Sequence, residues 1–271
     1  MSKILVRNVT KVFGDSPQAL ALLRAGQGKA EVLAATGASV GLNDVSLDIA
    51  AGQVFVIMGL SGSGKSTLVR HLNRLIDPTA GEILVDGENI LKLDAAGLRQ
   101  FRRRQVSMVF QGFGLLPHRT VIDNAAYGLM VRGERSSAAH DAAGRWIAKV
   151  GLSGYEHKYP DELSGGMKQR VGLARALACD TDIVLMDEAF SALDPLIRTE
   201  MQDQLLELQA ELRKTIVFIT HDLDEALRLA HRIAILKDGQ LVQVGAPSEI
   251  LERPANDHVR RFVEKRSLAV R

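Results

Sequence analysis

The chain has 271 residues, of which 46% are hydrophobic and 24% are charged, and its formal net charge is +2. This is the ordinary balance of a globular protein, so composition and charge give no indication of nucleic-acid binding. The single cysteine, Cys179, excludes an internal disulfide and fits a reducing compartment. No apolar stretch approaches the roughly 18 residues of a membrane span, and the N-terminus lacks a signal pattern, so we expect a soluble, cytoplasmic chain.

The first half of the chain predicts strands that are interrupted by one helical insertion. Alternating apolar residues indicate strands at 3–9 and 45–49, and the run "QVFVIMG" at 53–59 is typical of a buried strand. Residues 15–42 contain two short helical patterns, each ended by glycine, between the first two strands. A hairpin is predicted around Asp86-Gly87.

The second half alternates between strands and helices. The apolar strand "QVSMVFQ" ends at Gln111, and a helical pattern follows over about 112–180. Three further strands are predicted in "DIVLMDE", "TIVFITH" and "RIAILKDGQLVQVG", with a long helix between the first two. Such alternation predicts an α/β fold with a parallel, covered sheet. Because no repeat or low-complexity linker interrupts the pattern, we expect a single domain over 1–271.

A glycine-rich segment predicts a nucleotide site. "GLSGSGKST" at 59–67 matches the P-loop pattern G-x-x-x-x-G-K-[ST], between a predicted strand and a predicted helix. Its glycines let successive backbone N–H groups converge on phosphates, its lysine adds positive charge, and the next hydroxyl ligates magnesium. A plain strand–helix turn is the alternative. The predicted nucleotide-binding residues are Gly59, Ser61, Gly62, Ser63, Gly64, Lys65, Ser66 and Thr67, with Ser66 also a magnesium ligand.

Two carboxylates follow the apolar strand "IVLM". Asp187 is placed to bind magnesium, and Glu188, one residue on, faces differently and can act as general base toward water. The alternative is a solvated acidic pair at a strand end. Together with the P-loop, the pair indicates hydrolysis of a nucleoside triphosphate, but many motors, switches and kinases share these features.

Further motifs follow the P-loop in a fixed order. They are "FQ" at 110–111, "LSGGM" at 163–167, "LMDE" at 185–188, "SALD" at 191–194 and "ITH" at 219–221. As a set they resemble the ATP-binding-cassette (ABC) ATPases over essentially the whole chain. The resemblance implies an ABC nucleotide-binding domain of P-loop NTPase type, with a RecA-like core, an antiparallel β subdomain and an α-helical subdomain at about 112–180. The helical segment at 15–42 would be an insertion of the family's type.

The resemblance also implies a second copy of the chain. In that family two cassettes pack head to tail, so that Ser164, Gly165 and Gly166 would contact ATP held by the partner. A helix N-terminus at this point, with unpaired amides and a favourable dipole, suits a phosphate. A simple helix-start turn is the alternative. Asp194 would lie at the dimer seam.

The family pattern assigns the remaining roles. Glu188 would be the general base, Gln111 would contact magnesium and water, and His221 would contact the γ-phosphate. Phe13 would stack on adenine, although an aromatic residue there also suits a core. Glutamine is more common at Met167, and Gly112 replaces a bulkier residue. For these two departures we expect altered packing or flexibility with activity retained.

Longer stretches of the sequence narrow the resemblance to one branch of the ABC family. The insertion, "VIMGLSGSGKST" and "YPDELSGGMKQRVGLARALA" are similar to cassettes of quaternary-amine importers, in which Met167 is common. This implies ATP- and Mg²⁺-dependent uptake of glycine betaine, proline betaine or choline. Many such cassettes continue into two regulatory CBS modules. We do not expect them here because the chain stops at Arg271, which puts osmotic gating by this subunit in doubt.

The expected partners are a second copy, separate membrane permease subunits and, indirectly, a substrate-binding protein, but no nucleic acid. We therefore expect a peripheral protein at the cytoplasmic face of the inner membrane. Three alternatives stay open: the cassette of another small-molecule importer, such as an amino-acid system; a soluble ABC ATPase without a permease; and a non-hydrolysing scaffold. The transported molecule does not touch this chain, so its sequence does not identify it.

Overall fold

The structure is a computed structural model that describes residues 2–14, 16–191 and 193–269. Asp15, where the predicted insertion begins, and Ala192 of the "SALD" motif lie outside the described residues. The chain divides into two compact units. The first comprises the residues up to Asp94 and from Ile219 onward, and the second comprises Ala95–Phe218.

The secondary structure alternates as the sequence predicts. The described strands are β1 (Ser2–Phe13), β2 (Ser39–Ala50), β3 (Val54–Met58), β4 (Ala80–Val85), β5 (Glu88–Asn89), β6 (Val106–Val109), β7 (Ile183–Asp187), β8 (Thr215–Thr220), β9 (Arg232–Lys237) and β10 (Gln240–Gly245). The described helices are α1 (Ser16–Arg24), α2 (Lys29–Thr36), α3 (Lys65–Leu72), α4 (Ala95–Arg104), α5 (Val121–Arg132), α6 (Ser136–Lys149), α7 (Gly165–Ala178), α8 (Pro195–Leu212), α9 (Leu223–Leu229), α10 (Pro247–Glu252) and α11 (Asp257–Ala269).

The first unit contains a four-stranded antiparallel sheet in the order β2-β1-β4-β5. The alternation at 3–9 and 45–49 predicts shorter strands than β1 and β2. Both continue to Phe13 and Ser39, because bulges in their pairing let the ladder extend past the alternating part. Strands β4 and β5 form the predicted hairpin, and Asp86 and Gly87 both have positive φ, as a tight turn of this type requires.

The predicted insertion contains helices α1 and α2. Gly37 ends α2 in the left-handed conformation, with φ of +71°. The two helices bury their own small core against β1 and β2, formed by Val12, Ala19, Leu23, Val32, Ala38 and Val40. This apolar contact fixes the segment on the antiparallel sheet.

Strand β3 is the buried strand predicted at 53–59. Every residue of β3 is buried, which is typical of a strand covered on both faces. Within the first unit it pairs in parallel with β9, and β9 pairs antiparallel with β10 through the turn at Asp238-Gly239. The parallel sheet predicted from the alternation therefore carries one antiparallel strand, because a two-residue turn can only reverse the chain.

The second unit pairs β6 in parallel with β7 and packs helices α5, α6 and α7 against one another. Strand β6 ends at Val109, two residues before the predicted end at Gln111, since the chain turns there and reaches positive φ at Phe113.

Burial raises the pKa of the partly buried Cys179, which keeps its thiol protonated at neutral pH. The extent of a separate helical subdomain over 112–180 and a single domain over 1–271 stay predictions.

Candidate functional site

The glycine-rich loop at 59–67 connects β3 to α3 in the first unit. Its three glycines have φ of +152° at Gly59, +76° at Gly62 and +100° at Gly64. A Cβ atom at Gly59 would lie 2.3 Å from the Leu236 carbonyl oxygen. The loop therefore needs glycine for its left-handed backbone and, at this position, for close packing as well.

Lys65, the first residue of α3, reaches back along the loop. Its side chain is buried, and Nζ donates hydrogen bonds to the carbonyl oxygens of Gly59 at 2.9 Å and Leu60 at 3.1 Å. Gly64 is the N-cap of α3 and, because glycine has no side chain, does not itself cap the first amides of this helix. A buried ammonium group beside a helix N-terminus is suited to bind phosphate.

Phe13 lies at the end of β1 and is 43% exposed. A Cβ atom at Gly41 would lie 2.9 Å from Phe13 Cε2 and 3.2 Å from Thr67 Cγ2. The structure thus brings the Phe13 ring close to the last residue of the loop. Lys11 Nζ lies 5.0 Å from the ring centroid, in a cation–π contact. An exposed ring in this position is available for stacking.

His221 is the only predicted site residue of the first unit, among those described, that lies outside the loop and β1. It is exposed and directly follows β8. The next residue, Asp222, donates its N–H to Thr220 Oγ1 at 3.0 Å and caps helix α9. The hydrogen bond and the cap fix the backbone that follows His221, and His221 itself is exposed.

The two predicted catalytic residues of the second unit, Gln111 and Glu188, are in contact. Gln111 Nε2 donates to Glu188 Oε2 at 3.1 Å. Asp187 is 2% exposed at the end of β7, whereas Glu188 has φ of +47°, an uncommon value for a residue other than glycine. Ser191 holds this turn by donating its N–H and its hydroxyl to the Glu188 carbonyl oxygen. Asp187 is therefore buried, whereas Glu188 is half-buried and contacts Gln111.

The serine–glycine segment starts α7. Ser164 is the N-cap, and its Oγ accepts the Met167 N–H at 3.3 Å. A Cβ atom at Gly165 would meet open space, but one at Gly166 would lie 2.7 Å from Ile197 Cγ2. The Gly165 side of this helix start is therefore accessible, while the Gly166 side is packed.

Asp194 caps α8 in a similar way. Its Oδ1 accepts the Ile197 N–H at 3.1 Å. Ile197 thus lies next to both Asp194, the predicted seam residue, and Gly166. Together with Ser164 and Met167, it lines a small cavity of about 170 Å³. Of the two departures from the pattern, Met167 packs at this cavity and Gly112 has open space beside its Cα atom.

Several contact residues were missed by sequence reasoning. Gly41, Lys11 and Ile197 touch predicted site residues, and Lys29 Nζ lies 3.4 Å from the Gly62 carbonyl oxygen. None of them belongs to a motif. Gly41, Lys29 and Ile197 each lie far along the chain from the site residue they touch, and Lys11 lies two residues from Phe13 on β1. The Asp-Gly pair in "KDGQ", which forms the turn between β9 and β10, is a hairpin signal that the sequence analysis did not use.

Residues 42–191 match the sequence family described as ABC transporter. The chain belongs to the ABC transporter family. This ATP-binding cassette is 58% identical, over 96% of its length, to the glycine betaine/proline betaine transport system ATP-binding protein of Escherichia coli. It covers 65% of that relative, which is less than two thirds. The trimethylamine N-oxide transport system ATP-binding protein of Ruegeria pomeroyi is 54% identical over 97% of the cassette and 77% of its own length.

The cassette is also similar to a solved structure, an ATP-binding cassette described as a dimer in a post-hydrolysis state with bound ADP and Pi. The TM-score is 0.77 at 31% identity, with 90% of this chain and 98% of that chain covered. The predicted ABC fold is therefore confirmed, and the cassette is an ATP-binding domain. In the part of the chain that the structure describes, no helix has both the length and the apolar character of a membrane span.

Proposed function

We propose that this cassette is the ATP-hydrolysing subunit of an importer that carries a quaternary amine osmolyte, such as glycine betaine, proline betaine or choline, through separate permease subunits. The observation that carries this proposal is the 58% identity with the Escherichia coli relative. That similarity extends over 261 residues, far beyond the short motifs that unrelated cassettes share.

We infer that the loop at 59–67 binds the triphosphate of ATP. Its left-handed glycines, the buried ammonium of Lys65 and the N-terminus of α3, which begins at Lys65, support this role. Phe13 would stack on adenine, which its 43% exposure and its position beside Thr67 support. The proposed phosphate-binding residues are Gly59, Ser61, Gly62, Ser63, Gly64, Lys65, Ser66 and Thr67.

Magnesium fits the donors that we assign to it. The Ser66 hydroxyl, the Gln111 amide oxygen and an Asp187 carboxylate oxygen are hard ligands of the kind that Mg²⁺ prefers. No group of three His, Cys, Asp or Glu side chains in the described residues could hold a metal ion by itself. When bound, the ion would neutralise charge on the phosphates.

Glu188 would act as general base toward the attacking water. The hydrogen bond from Gln111 to the Glu188 carboxylate supports this role. Exposed His221 would contact the γ-phosphate. Glu188 would accept a proton from the water that attacks phosphorus. Gln111 and His221 would help to position that water.

We further propose that two copies bind head to tail, and that Ser164, Gly165 and Gly166 contact the ATP held by the partner. The open space at Gly165 and the helix N-terminus it begins support this role. Asp194 would lie at the dimer seam. The solved relative is described as dimeric, which supports the association of two copies.

The transport step would follow from closure of this dimer. ATP binding would draw the copies together, and hydrolysis would remove the γ-phosphate contacts and let them separate. The helical segment at about 112–180, as a subdomain of one ABC domain over 1–271, would contact the permease. The cassette would then lie at the cytoplasmic face of the inner membrane, with a substrate-binding protein as an indirect partner.

Uptake of labelled glycine betaine, choline and carnitine tests the proposal. The cells lack their own importers and express the permease and binding protein with the wild-type cassette, with Glu188→Gln or with no cassette. We expect uptake of at least one quaternary amine only with the wild type, because the Glu188→Gln amide cannot accept a proton and should lower hydrolysis by about 100-fold or more. Equal uptake with and without the cassette would refute the proposal.

A further inference from the structure

A lysine side chain of the helical insertion contacts the glycine-rich loop at 59–67. Lys29 is the first residue of α2, and its Nζ donates to the Gly62 carbonyl oxygen at 3.4 Å. The distance is long for a neutral hydrogen bond, but the positive charge of the ammonium strengthens the contact. Gly62 is one of the three left-handed glycines of the loop.

Lys29 is held in place from two sides. The carboxylate of Glu31 accepts the Gly28 N–H at 2.7 Å, which fixes the start of α2. The lysine stem crosses the turn at Gly239, where a Cβ atom would lie 3.1 Å from Lys29 Cε. Burial lowers the pKa of Lys29, and the nearby carboxylate of Asp238 opposes that shift and favours the charged form.

The same turn holds the loop at a second carbonyl. Gly239 donates its N–H to the Ser63 oxygen at 3.0 Å, and its own oxygen accepts the Asn43 N–H at 2.8 Å. The Gly239 turn therefore connects β2 to the loop. Lys29 and Gly239 contact two consecutive loop carbonyls, while Lys65 contacts those of Gly59 and Leu60.

The direction of these carbonyls determines the direction of the loop amides. In a trans peptide unit the C=O and N–H groups point in opposite directions. Holding the Gly62 and Ser63 oxygens toward Lys29 and Gly239 therefore sets the orientation of the Ser63 N–H, which donates to the Leu60 carbonyl oxygen at 3.1 Å inside the loop, and of the Gly64 N–H. Ordering these groups before the phosphate arrives lowers the entropy cost of binding.

We propose that Lys29 is a positioning residue for the phosphate-binding loop, and that the helical insertion acts on nucleotide affinity through it. The inference rests on the proposed nucleotide role of the loop. Lys29 acts on the orientation of Gly62 and does not touch the reacting atoms. Lys29 lines a cavity of about 1180 Å³ and is not one of the residues that form the apolar core of the insertion. Its replacement should therefore leave that core intact.

The test measures ATP affinity and hydrolysis by the full chain with the variants Lys29→Met, Lys29→Gln and Lys29→Arg. We expect Lys29→Met and Lys29→Gln to raise the Kd and the KM for ATP by about five- to tenfold, with kcat changed less than about twofold, because a charged contact is lost but the reacting groups stay. Lys29→Arg keeps the charge and a donor, so it should restore affinity to within about twofold of the wild type.

Arg24→Met is the matched control. It removes a positive charge from the same insertion and the same cavity wall, and no described contact joins Arg24 to the loop. It should leave the Kd for ATP unchanged, whereas an equal loss in Arg24→Met would assign the effect to general charge and overturn the proposal.

The outcomes separate this inference from the proposed function. If the wild type binds ATP and both neutral variants bind it equally well, the positioning role is wrong and the nucleotide site stands. A wild-type chain that does not bind ATP would overturn both. Thermal unfolding of each variant without nucleotide detects folding defects, and if Lys29→Met unfolds, the comparison of Lys29→Gln with Lys29→Arg decides.

Discussion

His71 is a fully buried histidine in α3, the helix that follows the glycine-rich loop at 59–67. Its Nδ1–H donates to the Thr67 carbonyl oxygen, and its Nε2 has no hydrogen-bond partner among the described residues. Burial lowers the pKa of His71; the bond to Thr67 and the charge of Asp77 oppose this, while Lys11 adds to it. The folded chain therefore holds a neutral imidazole, and below the ordinary histidine pKa of about 6.5 the unfolded chain binds the extra proton.

We predict that this histidine makes the cassette less stable in acid. The stabilising preference for neutral His71 is fully present above about pH 6.5 and is lost as the pH falls below it. The free energy of unfolding in urea should therefore fall more steeply between about pH 7.5 and 5.5 for the wild type than for His71→Gln. Glutamine keeps an N–H for the Thr67 oxygen and does not titrate. Equal slopes for the two proteins would contradict the prediction.

At the scale of whole elements, the parts that the sequence predicts well are those written in consecutive residues. The buried strand β3, the loop after it and the two carboxylates at the end of β7 are each encoded by an apolar run or a glycine pattern within ten residues. The antiparallel β4–β5 hairpin is likewise predictable from Asp86-Gly87. Local patterns are sufficient where local geometry decides the structure.

The remaining features depend on residues far apart in the chain. Strand bulges lengthen β1 and β2 past their alternating parts, and the contacts of Lys29 with Gly62 and of Ile197 with Gly166 join separate elements. Periodicity carries no information on such pairs, because it describes which face of one element is apolar and not which side chain of another element meets it. The roles of the site residues stay predictions.

The start of helix α7 supports a prediction on stability. A methyl group added at Gly166 would lie 2.7 Å from Ile197 Cγ2, whereas at Gly165 it would meet open space. Alanine gains at most about 1 kcal/mol over glycine in a helix, but overpacking costs about 1–3 kcal/mol. We expect Gly166→Ala to lower the free energy of unfolding by about 1 kcal/mol, and Gly165→Ala to leave it unchanged or raise it.

Thermal and urea unfolding measure this difference. Adding Ile197→Ala to Gly166→Ala removes the opposing Cγ2 atom, so the double variant should lose less than the sum of the two single changes. Additive losses would show that the contact between Ile197 and Gly166 does not limit the packing of this helix start.

At the scale of the whole molecule, the proposed site needs two copies of the chain. One copy offers the phosphate-binding loop, and the accessible helix start at Ser164 and Gly165 offers amides to an anion that its own chain need not supply. A bound triphosphate carries enough negative charge to interact both with the loop of one copy and with the α7 start of the other. Nucleotide should therefore control association, and association should last as long as the γ-phosphate does.

We predict that Glu188→Gln forms a stable dimer when ATP and Mg²⁺ are present and dissociates when they are removed. The amide cannot accept a proton from water, so ATP persists and each nucleotide stays bound by both copies. Light scattering on a sizing column would show twice the monomer mass. Ser164→Glu in the same background is the matched control, because a carboxylate at the cap of α7 repels the partner's phosphates and should abolish the dimer. If Glu188→Gln with ATP stays monomeric both in solution and bound to its permease, the shared-nucleotide arrangement is wrong, since no other described feature gives the Ser164–Gly166 segment a ligand.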